Sequence, residues 1–308
     1  MIANKIKIGS TIGLISPAGP ENPESIKSGI DFLKGLGFNI KEGKHIYDRW
    51  GFLAGSDKDR AYDLMSMFMD DEVDMILCIR GGYGTMRILP LIDFDIIKTH
   101  PKVFAGFSDI TTILNSIFQR CDLITFHSPM CTSNFEDKIT LESFINTLTQ
   151  GDLPYCIKNP KEMKLICSNT GNASGRLIGG NLTLICSTLG TPYEIDTTDN
   201  ILLIEDVGVD PYEIDRMLTQ LLLSGKLQVC SGLIVGQFTN CNLEHYERSL
   251  TIDEIVEDRI LNLGIPTFLN LATGHSYPKL TLPIGAKVNL NFNNNSIDIL
   301  ESVVLSND

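Results

Sequence analysis

The sequence predicts an α/β protein in which a parallel sheet covered by helices is followed by a second domain that closes on antiparallel strands. Three observations lead there. In the first half, short runs that are apolar on both faces alternate with segments of helical periodicity, the pattern of strands buried between two helical layers. The alternation returns in the second half, after a polar stretch containing Pro154 and Pro160. The tail from Lys287 to Leu300 alternates apolar and polar residues around Asn293-Asn294-Asn295, which reads as a hairpin.

Taken in order, Ile6 to Ser16 reads as a buried strand ending in Ser16-Pro17-Ala18-Gly19-Pro20, and Pro23 to Leu36 as a helix closed by Gly37. Phe38 to Ile40 is a short strand. Ser56 caps a helix to Met69, with Ala61, Leu64, Met65 and Phe68 at helical spacing. Val73 to Ile79 is an unbroken apolar strand running into Arg80-Gly81-Gly82-Tyr83-Gly84, and a short helix from Thr85 to Leu91 follows. The strand ending at Gly106, a helix from Asp109 to Phe118 and a strand from Leu123 to Phe126 complete a first domain over 1–150. Periodicity weakens over 151–172, read as a linker. The second domain, 173–308, contains Leu177-Ile178-Gly179-Gly180-Asn181-Leu182-Thr183-Leu184-Ile185 and the strand Ile201 to Ile204. A helix from Pro211 to Leu223 follows, opened by Asp210 and closed by Gly225. Next come a strand from Gly232 to Val235, a helix from Ile252 to Leu263, the segment Pro266 to Leu271 and the tail hairpin.

The 308 residues carry 25 basic and 38 acidic side chains, a formal charge of −13 that repels a nucleic-acid backbone or an anionic membrane surface. No apolar run approaches the ~18 residues needed to span a bilayer, and the amino-terminal run lacks a clear cleavage site. Eight cysteines contain no Cys-x-x-Cys pair and mostly lie in apolar runs, so they read as core residues in a reducing compartment, the cytoplasm by default. Metal-binding signatures such as His-x-x-x-His or clustered His and Asp are absent, and no metal or cofactor is called for.

Chemistry concentrates on strand ends. Val103-Phe104-Ala105-Gly106-Phe107-Ser108-Asp109 places Ser108 on a tight strand-to-helix turn, where a hydroxyl stands clear of the backbone and the following N–H groups can face an oxyanion; the alternative is an ordinary helix cap. A serine nucleophile needs a base. Of five histidines, His45, His100 and His245 read as solvated; His127 either lines the crevice or is structural; His275 sits on a glycine-containing loop suited to a general base. Glu205 is the first polar residue after the Ile201 to Ile204 run and the better orienting acid, whereas Asp206 reads as a turn or cap. Gly81 and Gly82 lack the full spacing of a phosphate loop and suit backbone approach to an oxyanion, together with the N–H of Asp109. Arg80 forms either a buried ion pair or a contact with a substrate carboxylate, the second role being shared with Asn181.

The ordered set Ile15-Ser16-Pro17-Ala18-Gly19, Arg80-Gly81-Gly82-Tyr83-Gly84, Gly106-Phe107-Ser108-Asp109-Ile110-Thr111, Gly179-Gly180-Asn181-Leu182, Glu205-Asp206-Val207-Gly208, Asp215-Arg216-Met217-Leu218 and Gly274-His275 resembles the LD-carboxypeptidases, serine peptidase family S66. The resemblance spans nearly the whole chain. It implies a Ser108-Glu205-His275 triad and a Rossmann-like or flavodoxin-like amino-terminal domain carrying the serine. It also implies a smaller carboxy-terminal domain carrying the acid and base, a homodimer, and an active site in the interdomain cleft. The implied activity is removal of the terminal D-alanine from murein tetrapeptides during cell-wall recycling in the cytoplasm. A related branch, the microcin C immunity peptidases, cleaves aminoacyl-nucleotides. The segment from Asp48 to Asp57 around Trp50 resembles the cell-wall branch. One departure is Gly274-His275-Ser276 and Lys279 where members often read Gly-His-Gly and Asn. Rival readings are an esterase-like α/β-hydrolase and a non-catalytic binder of murein peptides or nucleotides.

Overall fold

The computed structural model describes residues 1–243 and 246–306, and the chain forms two compact units. The first comprises Met1–Leu153, Leu280–Gly285 and the segment from Ser302 onward; the second comprises Pro154–Lys279 and Ala286–Glu301.

In the first unit the strands β1 (Thr11–Ile15), β2 (Asn39–Glu42), β3 (Met75–Cys78), β4 (Val103–Gly106) and β5 (Thr125–His127) pair in parallel in the order β5-β4-β3-β1-β2. This is a flavodoxin-like order, in which connections diverge between β1 and β3 and leave a crevice at the carboxyl ends of the strands. The loops after β1, β3 and β4 all end there. Helices α1 (Pro23–Gly35), α2 (Asp57–Met69), α3 (Thr85–Ile88), α4 (Phe94–Thr99), α5 (Thr111–Cys121) and α6 (Lys138–Gln150) accompany the sheet. Ser56 caps α2 by accepting from Asp59 N–H at 3.2 Å, as its position predicts. Every residue of β3 and β4 is buried, and burying each large apolar side chain contributes roughly 1.5–3 kcal/mol.

The second unit has β6 (Tyr155–Ile157), β7 (Ile166–Ser168), β8 (Ser174–Asn181), β9 (Ile201–Val207), β10 (Gly232–Thr239) and β11 (Thr267–Leu269), with helices α7 (Leu182–Thr188), α8 (Pro211–Leu223) and α9 (Ile252–Arg259). The strand β12 (Leu282–Ile284) belongs to the first unit and adds antiparallel to β5. The predicted tail hairpin is β13 (Lys287–Asn291) and β14 (Ser296–Ile299). The second sheet runs β6-β14-β13-β8-β9-β10-β11-β7, parallel from β8 to β11 and antiparallel outside.

Several elements differ from the sequence reading. The stretch read as a linker contains β6 and β7, both edge strands of the second sheet. β9 continues through Val207, so Glu205 and Asp206 lie inside the strand rather than after it. Helices α4 and α6 were not predicted. The first has only six residues, and the second buries Thr140 and Thr147 beside Phe144 and Leu148, so threonines hide its apolar period.

Candidate active site

Ser108 follows β4 with φ of +65°, a left-handed conformation that costs a non-glycine residue of order 1–3 kcal/mol. Such a turn projects the side chain from the end of the sheet, as a nucleophile elbow does. A 3₁₀ turn over Ser108–Ile110 then leads into α5. The glycine loop after β3 lies directly against it: a Cβ on Gly81 would stand 2.8 Å from Ser108 Cβ and 2.9 Å from its Oγ. Gly82, at φ +126°, approaches Gly19 so closely that a Cβ would lie 3.1 Å from its backbone, and Gly19 N–H donates to Gly81 O at 3.2 Å. Close backbone approach therefore requires glycine at both positions.

Asp109 is buried. Its carboxylate accepts from Thr85 N–H at 2.9 Å, and its carbonyl accepts from Thr85 Oγ1 at 2.6 Å. Burial pushes its carboxyl upward, opposed by the Thr85 hydrogen bonds and the Arg60 charge. Arg80 is half-exposed, with Nη1 3.5 Å from Glu21 Oε2, so it is neither buried nor tightly paired.

On the second unit, His275 Nδ1 lies 2.8 Å from Glu205 Oε2. Glu205 is fully buried, and its Oε1 has no hydrogen-bond partner among the described residues. A carboxylate at Nδ1 accepts a hydrogen bond from the N–H there and leaves Nε2 with the lone pair, the tautomer a general base requires. The pair is tightly boxed. Gly274, at φ +123°, would place a Cβ 3.0 Å from Glu205 Oε2, and Gly236 would place one 3.2 Å from Glu205 Cβ, where the β9–β10 register shifts. A cavity of about 640 Å³ in this unit is lined by Gly236, Gln237, Phe238, Val256, Leu269 and Ser276, among others.

The profile of the LD-carboxypeptidase N-terminal domain matches residues 12–128, and that of the C-terminal domain matches residues 174–290. The chain belongs to the LD-carboxypeptidase family. The first match contains Ser108 with Gly81 and Gly82; the second contains Glu205 and His275. A probable murein peptide carboxypeptidase of Bacillus subtilis is 42% identical over 287 residues, covering 92% of this chain and 89% of the relative. The solved structure of muramoyltetrapeptide carboxypeptidase from Oxalobacter formigenes superposes with a TM-score of 0.83 at 28% identity, covering 97% and 100% of the two chains. The microcin C7 self-immunity protein MccF superposes with a TM-score of 0.92 at 26% identity, covering 99% of each. By family this is a serine-type carboxypeptidase with the mixed α/β architecture its sequence predicts.

The other sequence candidates have structural partners of their own. Asn181 caps α7: its Oδ1 accepts from Leu184 N–H at 3.2 Å, and its Nδ2 donates to Asp206 Oδ1 at 3.0 Å. Asp206 also accepts from Thr183 N–H and Oγ1, both at 2.8 Å, so from inside β9 it braces the first turn of α7, whose cap is Asn181, rather than capping a turn or helix that follows it. His127 is buried, with its ring edge-on to Phe107 at 5.9 Å. His100 Nδ1 lies 3.1 Å from Ile96 O at the end of α4. His245 lies outside the described residues. Against the expectation of no clustered His and Asp, His45, read as solvated, lies 2.8 Å from Asp48, and with Asp59 the two make a His-Asp-Asp group compact enough to hold a metal ion, brought together because the chain before α2 folds back onto its first turn. Arg60, which sequence reading passed over as an ordinary residue of an amphipathic helix, is 1% exposed; Asp57 before it and Gly84 beyond it were the signals available.

Proposed function

We propose that this protein hydrolyses the amide bond to the terminal D-alanine of murein tetrapeptides, with Ser108 as nucleophile and His275, oriented by Glu205, as general base. Ser108 attacks the amide carbonyl as its proton passes to His275 Nε2. The backbone N–H groups of Asp109 and of the Gly81–Gly82 turn stabilise the resulting oxyanion. His275 then protonates the departing D-alanine, and water repeats the sequence to free the enzyme. The observation that carries this reading is the left-handed Ser108 with Gly81 packed on its Cβ and Oγ. The murein substrate rests on the names of the relatives at 42% and 28% identity. Arg80, half-exposed beside Gly81, is the better placed of the two carboxylate-binding candidates, since the Asn181 amide is engaged at both ends.

The reading extends to a homodimer in the cytoplasm. Support for a reducing compartment comes from eight free cysteines, six of them buried. The test is mass spectrometry of products from a defined L-alanyl-D-glutamyl-diamino acid-D-alanine tetrapeptide, run beside an aminoacyl-nucleotide. Wild-type protein releases D-alanine and Ser108→Ala does not while retaining its fold; full activity in that variant sinks the assignment. Cleavage of the aminoacyl-nucleotide alone moves the substrate to the other branch.

A further inference from the structure

The strongest unassigned feature of the first unit is a buried cation behind the nucleophile turn. Arg60 projects from α2, and its guanidinium joins two loops to the first residue of its own helix. Nη1 donates to Pro17 O at 2.5 Å, after β1, and to Gly84 O at 2.9 Å, after β3; Nη2 donates to Asp57. Asp57 is in turn held by Arg87 through Nε at 2.8 Å and Nη2 at 2.9 Å. Burial pulls the guanidinium below its ordinary value and Asp57 pulls it back, so the charge is kept where it hydrogen-bonds.

The Gly84–Thr85 peptide group is the link to chemistry. Its oxygen is held by Arg60, and its N–H is held by the carboxylate of Asp109, the residue directly after Ser108. A single peptide plane is therefore clamped from both sides, with Thr85 Oγ1 adding a bond to the Asp109 carbonyl. Gly84 itself, at φ +129°, has no room for a side chain, since a Cβ would lie 2.8 Å from Arg60 Nη1 and 2.5 Å from Leu53. The last glycine of Arg80-Gly81-Gly82-Tyr83-Gly84 thus serves Arg60, while Gly81 serves Ser108.

The geometry points to Arg60 as a positioning residue for catalysis: by holding the Pro17 and Gly84 carbonyls it fixes the glycine loop and, through Thr85 and Asp109, the backbone that faces the oxyanion. The inference rests on Ser108 being the nucleophile. Because the oxyanion exists only along the reaction, loosening this clamp lowers kcat and leaves KM nearly unchanged.

The experiment compares Ser108→Ala, Arg60→Lys, Arg60→Met, Asp57→Ala and Arg87→Ala, assayed for D-alanine release below each variant's unfolding midpoint. Arg60→Met is expected to lose at least 100-fold in kcat with KM within twofold, and Arg60→Lys to recover at least tenfold of that loss. Asp57→Ala, which loosens the guanidinium without removing it, is expected to lose at least fivefold in kcat, and Arg87→Ala, which loosens only Asp57, to lose less. If the Arg60 variants fail to fold, Asp57→Ala decides. Wild-type kcat in folded Arg60→Met, or in Asp57→Ala when the Arg60 variants do not fold, overturns the positioning role. An active Ser108→Ala overturns the nucleophile reading instead, so the two failures are distinguishable.

Discussion

Replacing Glu205 with glutamine tests the base most directly, because it changes one proton position and almost no volume. In the wild type, a fully buried carboxylate lies 2.8 Å from His275 Nδ1. A glutamine amide there presents an N–H to Nδ1, which becomes the acceptor and moves the ring proton to Nε2. That nitrogen is the one that receives the Ser108 proton in the proposed mechanism. A wrong tautomer in a serine peptidase triad costs about 10⁴ in kcat, or about 5 kcal/mol of barrier at 1.36 kcal/mol per decade. If the amide turns to present its carbonyl instead, the tautomer survives but the imidazolium loses its negative partner. The assay is continuous D-alanine release from the tetrapeptide, with thermal unfolding measured alongside. Stability should hold, because the substitution removes a buried charge whose Oε1 has no described hydrogen-bond partner. A folded Glu205→Gln enzyme within tenfold of wild-type kcat refutes the assignment of Glu205 as the residue that orients the base.

Two further outcomes follow from single contacts. Gly81→Ala places a methyl 2.8–2.9 Å from the Ser108 side chain without demanding a left-handed backbone, so kcat should fall by about 100-fold or more while the clash costs roughly 1–3 kcal/mol of stability; near-normal kcat in the folded variant would place the reactive hydroxyl elsewhere. Lys279 is buried with its ammonium 4.7 Å from the Tyr277 ring centroid, and burial pulls its pKa down to about 8, with Glu205 acting in the opposite direction. Below about pH 8 both folded and unfolded chains hold the proton and the full burial penalty stands. Between about pH 8 and the ordinary 10.5 the unfolded chain binds the proton more tightly, so stability rises with pH. Lys279→Met should therefore be more stable than wild type by at most about 3 kcal/mol at pH 7, the gap closing by pH 10.5 in urea unfolding; a gap independent of pH contradicts the assigned cause.

Local chemistry made much of this protein legible in its sequence. The strand-to-helix turn at Ser108, the Ser56 and Asp210 caps, the apolar runs of β3 and β4 and the hairpin about Asn293-Asn294-Asn295 are each encoded by neighbours within a few residues, where periodicity and turn propensity act. What only the tertiary structure decided is non-local. The return of Leu282–Ile284 to the edge of the first sheet depends on a partner more than 150 residues earlier, and no periodicity in three residues announces it. Asp206 and Asn181 have the side chains of a site but meet across adjacent strands as a helix cap. Arg60 has the charge of a surface residue, and its burial follows from two carbonyls on distant loops. The left-handed backbone of Ser108 likewise sits in non-local surroundings: a serine has no intrinsic preference for φ +65°, and there Gly81 lies against its side chain while Thr85 holds the Asp109 that follows it.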